Sequence, residues 1–289
     1  MTETQNFQNV QELLTTGIGT EGQLLIPRKI HDTLIEETDK ALIPRSESAL
    51  YVGPAAVPGS SYDIDLEQEN QMDVRLVAEG AEIWLDQDEY TSINVKPKKY
   101  GVAIKITKEM QEDSKWPLLE RNVKKAGKRF AENETSLIIT ALDGADNTTA
   151  GGDAITIPNI TESMLDLDNA DKEGTSMLVG NEIIQDLRNM DTFVEANRAG
   201  TTDMMQKGMV GTIYGLNVMK FSTNAAPSTT YAKYAYLYDK DECYAIVEKR
   251  SITVENFTLP QFDMSGSAVT QRISVSLLRS SAVSKITTN

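Results

Sequence analysis

Few residues in this chain are of types that do chemistry, and their spacing limits what each could do. Gly17-Ile-Gly-Thr-Glu-Gly22 spells the glycine pattern that can cradle a pyrophosphate, a role that needs a strand before it and a helix opening at its end. The preceding stretch is polar and Pro27 interrupts the following one, so these glycines read as part of an arm. Carboxylates crowd at Asp63, Asp65, Glu67, Glu69 and Asp73. A calcium loop starting at Asp63 would need glycine at its sixth place and glutamate at its twelfth, where Gln68 and Val74 stand. Asp166, Asp168 and Asp171 lack such a loop as well. His31 falls in an amphipathic pattern with no nucleophile motif to serve, and reads as structural. Cys243, between Glu242 and Tyr244 in a strand-like run, reads as a buried small side chain. One cysteine permits no internal disulfide, and with one histidine it leaves too few ligands for the common zinc sites. The expectation is a protein without catalytic, cofactor-binding or metal-binding residues.

Charge carries more information. The chain of 289 residues has 28 Lys and Arg against 43 Asp and Glu, a net −15, which gives no general attraction for nucleic acid or an anionic membrane. The distribution is uneven. From Ser61 to Tyr90 there are ten acids and one base, Arg75; from Lys96 to Arg129 there are eleven bases and four acids. An acidic excursion therefore lies beside a basic stem and helix. Complementary charge of this kind sets register between copies of a self-associating protein. Asp63, Asp65, Glu67 and Glu69 are the acidic contact candidates, and Arg121, Lys124, Lys125, Lys128 and Arg129 the basic ones. The competing reading is pairing along one helix surface, Glu120 with Lys124 and Lys128 with Glu132, at about 0.3–0.5 kcal/mol per pair.

These residues must be positioned by α+β elements. Residues 1–24 read as an arm that orders on a partner, followed by a short amphipathic helix carrying Ile30, Leu34 and Ile35. Residues 50–107 are strand-like. In Tyr62-Asp-Ile-Asp-Leu-Glu67 the types alternate, with Asp63, Asp65 and Glu67 on one face and Ile64 and Leu66 on the other. Ile93 and Val95, then Val102, Ile104 and Ile106, continue as a two-stranded excursion returning to a core. Lys115 to Leu142 is the strongest helix, with Leu119, Val123, Ala126, Phe130, Leu137 and Ala141 near one stripe and Pro117 in its first turn. Gly144–Gly152 breaks the chain. Beyond it lie a helix over Glu162–Ala170, a strand over Ser176–Val179 and a helix over Asn181–Met190. A strand pair at Thr212–Met219 and Tyr234–Val247 and returning strands over 251–286 complete the order. Tyr234, Tyr236 and Tyr238 alternate beside Asp239 and Asp241, which favours sheet packing over base stacking. The N-terminus has no signal-peptide pattern and no apolar run is long enough to span a bilayer, so a soluble, cytoplasmically made product is expected.

The order of elements resembles the major capsid protein of tailed double-stranded DNA viruses, with its HK97-type fold. The resemblance rests on Val77-Ala-Glu-Gly-Ala-Glu-Ile, on Tyr90-Thr-Ser-Ile-Asn-Val-Lys-Pro-Lys-Lys-Tyr-Gly-Val, on Ile106-Thr-Lys-Glu-Met-Gln-Glu-Asp-Ser before the long helix, and on Gly211-Thr-Ile-Tyr-Gly-Leu-Asn-Val. It implies an N-terminal arm over 1–45, a peripheral domain over 46–144 and 249–289 with an extended loop at 58–94 and a spine helix at 115–142, and an axial domain over 145–248. It also implies self-assembly into hexamers and pentamers of an icosahedral shell, located in the virion and assembled in the host cytoplasm. The shell would enclose double-stranded DNA bound without sequence specificity, filled through a portal. An encapsulin-like shell around cargo enzymes is the alternative. Two departures from the founding type stand out. The arm is short, so a scaffold is expected as a separate protein. Residues 59–95 hold no lysine, so an isopeptide cross-link from the extended loop is not expected.

Overall fold

The computed structural model describes residues 45–68, 74–80, 82–83, 89–109, 118–190 and 209–288, together with Asp32, Leu34, Ile35, Thr38 and Ile43. The glycine pattern at 17–22, Ile30, His31, Glu69, Asp73 and Pro117 lie outside these. In chain order the elements are β1 (Leu50–Val52), β2 (Tyr62–Glu67), β3 (Tyr90–Val95), β4 (Lys98–Thr107), α1 (Leu118–Leu142), β5 (Asn147–Ala150), α2 (Ile157–Asn169), β6 (Ser176–Val179), α3 (Asn181–Asn189), β7 (Met209–Ile213), β8 (Leu216–Lys220), β9 (Tyr234–Tyr238), β10 (Tyr244–Leu259), β11 (Met264–Leu277) and β12 (Val283–Thr287).

They form three sheets. A four-stranded sheet runs β1-β10-β11-β4, a six-stranded sheet runs β5-β12-β9-β6-β8-β7, and β2 pairs only with β3. The long β10 and β11 form an antiparallel hairpin whose ladder shifts register between Glu248 and Thr253. The returning C-terminal segment divides between sheets, because β12 pairs with β9 and β5 rather than with β11.

Three local readings are refined. Thr212–Met219 contains two strands, since Tyr214 (φ 48°) and Gly215 (φ 86°) form a tight turn of the kind hairpins favour. Tyr234–Val247 likewise splits. The Asp239 carbonyl accepts from the Cys243 amide at 3.0 Å and the Asp239 carboxylate from the Asp241 amide at 3.0 Å, closing a turn that sends β9 and β10 into different sheets. Helix α2 begins five residues earlier than its apolar pattern suggested. Thr156 and Asn159 form a reciprocal cap there and Pro158 sits in the first turn, where a missing N–H costs nothing.

Helix α1 shows why the fold holds as one body. Its first half buries Val123, Ala126 and Phe130 against Ile104, Ile252 and Val269 of the four-stranded sheet, together with Leu34. Its second half buries Ile138, Ile139 and Leu142 in a different core, with Tyr236 and Tyr238 of β9, Tyr244 and Ile246 of β10, Ile273 and Val283. The expected stripe was a single line ending in Leu137 and Ala141. Both are only half-buried, because the buried face turns as the helix passes from one core to the next. A third core lies under α2 and α3, where Ile160, Leu167, Ile183, Ile184 and Leu187 cover Met177, Val179 and Leu237. Among the described residues no helix is long and apolar enough to cross a membrane.

Candidate inter-subunit surface

The β2–β3 hairpin is anchored at its root. Ile64 and Val95 are buried with Val52, Val57, Ala245 and Val247, and Tyr62, Leu66 and Ile93 pack against the same cluster. Arg279 donates to the Glu67 carbonyl at 2.9 Å, and Lys249 donates to the Gly59 carbonyl. The period of two in the sequence fixes the rest, because seating Ile64 and Leu66 inward turns Asp63, Asp65 and Glu67 outward, and all three are exposed. Their partners across the hairpin are Asn94, Ser92 and Tyr90, so the outer face carries its carboxylates on one strand only. Asn94 donates to Asp63. Successive carboxylates in this row are about 6.7 Å apart along the strand, too far to converge on one cation. Beyond the hairpin, Val74, Leu76 and Ile83 are exposed apolar residues.

The basic candidates occupy the outward face of α1. Arg121, Lys124, Lys125, Lys128 and Arg129 are all exposed. Arg121, Lys125 and Arg129 repeat every four residues, about 6 Å of helix rise, which nearly matches the spacing of the acidic row. Arg129 pairs with Glu132 at 2.7 Å, so the intrahelical partner of that glutamate is Arg129, where the competing reading had Lys128. Among the described residues, no ion pair joins Asp63, Asp65 or Glu67 to Arg121, Lys125, Lys128 or Arg129. The subunit positions both charged surfaces without bringing them together.

Beside this stripe runs an open groove of about 340 Å³ between β4 and α1. Val102, Ala103, Ile104 and Lys105 form one wall; Asn122, Lys125, Ala126 and Arg129 form the other. Lys105 belongs to the basic stem seen in the sequence, but its place opposite Lys125 and Arg129 needed the tertiary fold.

Two partly buried polar clusters went unseen in the sequence. In the first, Arg45 binds both oxygens of Glu134 at 3.0 and 3.1 Å and reaches Glu248 at 3.2 Å, while Tyr51 donates to Glu248 and Gln271 donates to it at 3.0 Å. Glu134 and Glu248 are almost fully buried. Burial, together with the Glu248 carboxylate, pushes the Tyr51 phenol up to about 12. Burial works against the Arg45 charge, yet Glu134 and Glu248 outweigh it and raise its pKa. This cluster ties the root of the N-terminal segment to α1 and β10. In the second, Asp143 follows the last turn of α1 and accepts from Lys285 at 2.6 Å, Tyr231 at 3.0 Å and Tyr236 at 3.2 Å. Lys285 also lies 4.2 Å from the Tyr234 ring centroid. Burial disfavours the Asp143 charge, but these donors more than compensate and hold its carboxyl below the usual range. Such clusters join residues 23 to 203 positions apart and leave no periodic trace.

Cys243 is fully buried, and burial pushes its thiol up. Among the described residues no group of three or more His, Cys, Asp or Glu is placed to hold a metal ion.

Residues 22–288 match the phage capsid family, which is nearly the whole sequence. The chain belongs to the phage capsid family. It is a capsid shell protein, a structural component of the virion. The fold agrees. A chain of Microbacterium phage Oxtober96 superposes with a TM-score of 0.63 at 13% identity, covering 85% of this capsid protein and 91% of that chain. The mature capsid of bacteriophage PhiM1 gives 0.61 at 10%, covering 86% and 87%. The virus-like particle from Pyrococcus furiosus gives 0.57 at 11%, covering 90% and 98%. No curated protein matches the sequence significantly. The capsid protein thus has the HK97-type fold expected from the order of its elements.

Proposed function

We propose that this capsid protein assembles into hexamers and pentamers of an icosahedral shell by laying the acidic face of one copy's β2–β3 hairpin on the basic face of a neighbour's α1. The observation that carries the reading is the pair of exposed, oppositely charged rows of nearly equal repeat, Asp63, Asp65 and Glu67 on the hairpin and Arg121, Lys125 and Arg129 on the helix. In this organisation residues 1–45 form an arm. The four-stranded sheet and α1 form the peripheral domain, and the six-stranded sheet forms the axial domain, including β12. Lys124, Lys128 and Glu69 extend the charged surfaces.

The shell encloses double-stranded DNA. With −15 per chain it does not draw DNA in, so the genome is driven through a portal, with assembly in the host cytoplasm. Exposed ion pairs contribute about 0.2–1 kcal/mol each, so three per hairpin come to about 0.6–3 kcal/mol at every contact. The test is the variant Asp63→Asn, Asp65→Asn, Glu67→Gln, Glu69→Gln. It should fold as a subunit and lose most shell formation when imaged by electron microscopy; normal shells from it would remove the hairpin–helix pairing. A second reading, an encapsulin-like shell around protein cargo, is favoured by the match to the Pyrococcus furiosus particle, and the contents of purified particles separate it from the first.

A further inference from the structure

We propose that the outer edge of β4 takes up the hairpin of a second copy as an added strand, with β3 of one copy pairing along β4 of the next. The proposal rests on the copy-to-copy reading above and specifies its geometry.

Four consecutive residues of β4, Val102 to Lys105, line the groove against α1. Side chains alternate between faces along a strand, so four in a row can border one groove only where it runs along the strand's edge. β4 is the outer strand of its sheet, with β11 as its one partner there. Just past the Thr107–Met264 pair, the Lys108 amide donates to the Asp263 carbonyl at 3.1 Å. In an antiparallel ladder, residues alternate between turning both backbone groups toward the partner and turning both away. Ile106, Ile104 and Val102 therefore face β11, while Gly101, Ala103 and Lys105 turn their N–H and C=O outward. All three are exposed, and their outward groups have no backbone partner among the described residues. A row of this kind is a template for another strand.

The same alternation identifies the complementary edge. The Gln68 amide donates to the Glu89 carbonyl at 3.0 Å, just past the Glu67–Tyr90 pair, so Tyr90, Ser92 and Asn94 turn their backbone groups away from β2. The outer edge of β2 is engaged at its end by Arg279 of its own chain, which leaves β3 as the hairpin's open edge. Three outward residues on β3 thus meet three on β4. Charge selects this pairing over self-pairing. β4 carries Lys98, Lys99 and Lys105 and no acid, so two β4 edges together would set like charges against each other. In the hairpin, the carboxylates of β2 lie one strand in from the open edge, about 4.8 Å away, within reach of Lys105, Lys125 and Arg129. The product is a six-stranded sheet shared between two copies.

The test is amide hydrogen exchange on free subunits and on shells. The amides of Gly101, Ala103, Lys105, Tyr90, Ser92 and Asn94 should exchange fast in the free subunit and slow by about 100-fold in shells. The variant Ala103→Pro removes an outward donor without taking a bond from the ladder; its subunit should melt normally while shell yield falls roughly tenfold. If that variant does not fold, exchange on the unaltered protein still decides. Shells whose β4 amides stay as fast as in free subunits would overturn strand addition and leave the wider reading standing. Slow exchange already in the free subunit would also overturn it, by showing that the chain covers its own edge. If the unaltered protein forms no shells at all, both readings fall.

Discussion

Replacing Asp143 by Asn should separate the electrostatic from the steric part of the joint between α1 and the six-stranded sheet. The carboxylate accepts from Lys285, Tyr231 and Tyr236, and the amide keeps its shape and one acceptor oxygen while losing the charge. Hydrogen bonds to charged groups contribute about 1.5–3 kcal/mol each. Simple addition overstates the loss, because Asp143 is 32% exposed and solvent screens part of the attraction. A net cost of about 2 kcal/mol is expected, or about 4–8 °C in the melting temperature of the free subunit. Asp143→Ala should cost about 3–4 kcal/mol, since it also leaves the buried Tyr236 phenol without its acceptor. The pH dependence has a definite sign. The carboxyl is held below its usual range in the folded chain, so its contribution is complete above the unfolded value of about 3.9 and fades as pH falls through the lower folded value. Calorimetry of the native protein and the Asn variant should show a gap that is full at neutral pH and closes in acid. A gap unchanged across that range, or Asp143→Asn and Lys285→Met adding without coupling, would refute the assignment.

Three further outcomes are expected. Gly266→Ala should destabilise the four-stranded sheet by about 1–3 kcal/mol in denaturant titration, because a Cβ there would lie 2.3 Å from the Ile104 carbonyl and 2.7 Å from the Phe257 ring. Cys243 should react with a thiol reagent in the native subunit far more slowly than after denaturation, since its thiol is fully buried and its pKa raised. Denaturing electrophoresis of assembled particles should show single chains; a ladder of covalent oligomers would contradict the expectation drawn from the lysine-free stretch 59–95.

What could be read in advance depended on how far apart in sequence the cause lay. The alternation in Tyr62–Glu67 and the helical stripe through Val123, Ala126 and Phe130 are local patterns, and burial of Ile64 and of those three residues follows them. The turning of α1's buried face after Phe130 was not legible, because it is set by Tyr236, Tyr244 and Val283, which lie far along the chain. Arg45 among Glu134, Glu248 and Tyr51 was equally hidden, since no local period marks a charge that will meet partners 89 and 203 positions away. The charged rows were legible residue by residue, but which backbone edge stands beside them required the ladder registers of β3 and β4.

Because α1 is gripped by one core at its start and by another at its end, it works as a lever. Its 25 residues extend about 37 Å, so a tilt of only about 5° at one grip sweeps the opposite end through about 3 Å. That travel is comparable to the length of a hydrogen bond. A small rotation of the six-stranded sheet must therefore either be carried by the rod to the lysines and arginines on its outward side or be absorbed as bending, so the position of that charged face is mechanically tied to the packing inside the subunit.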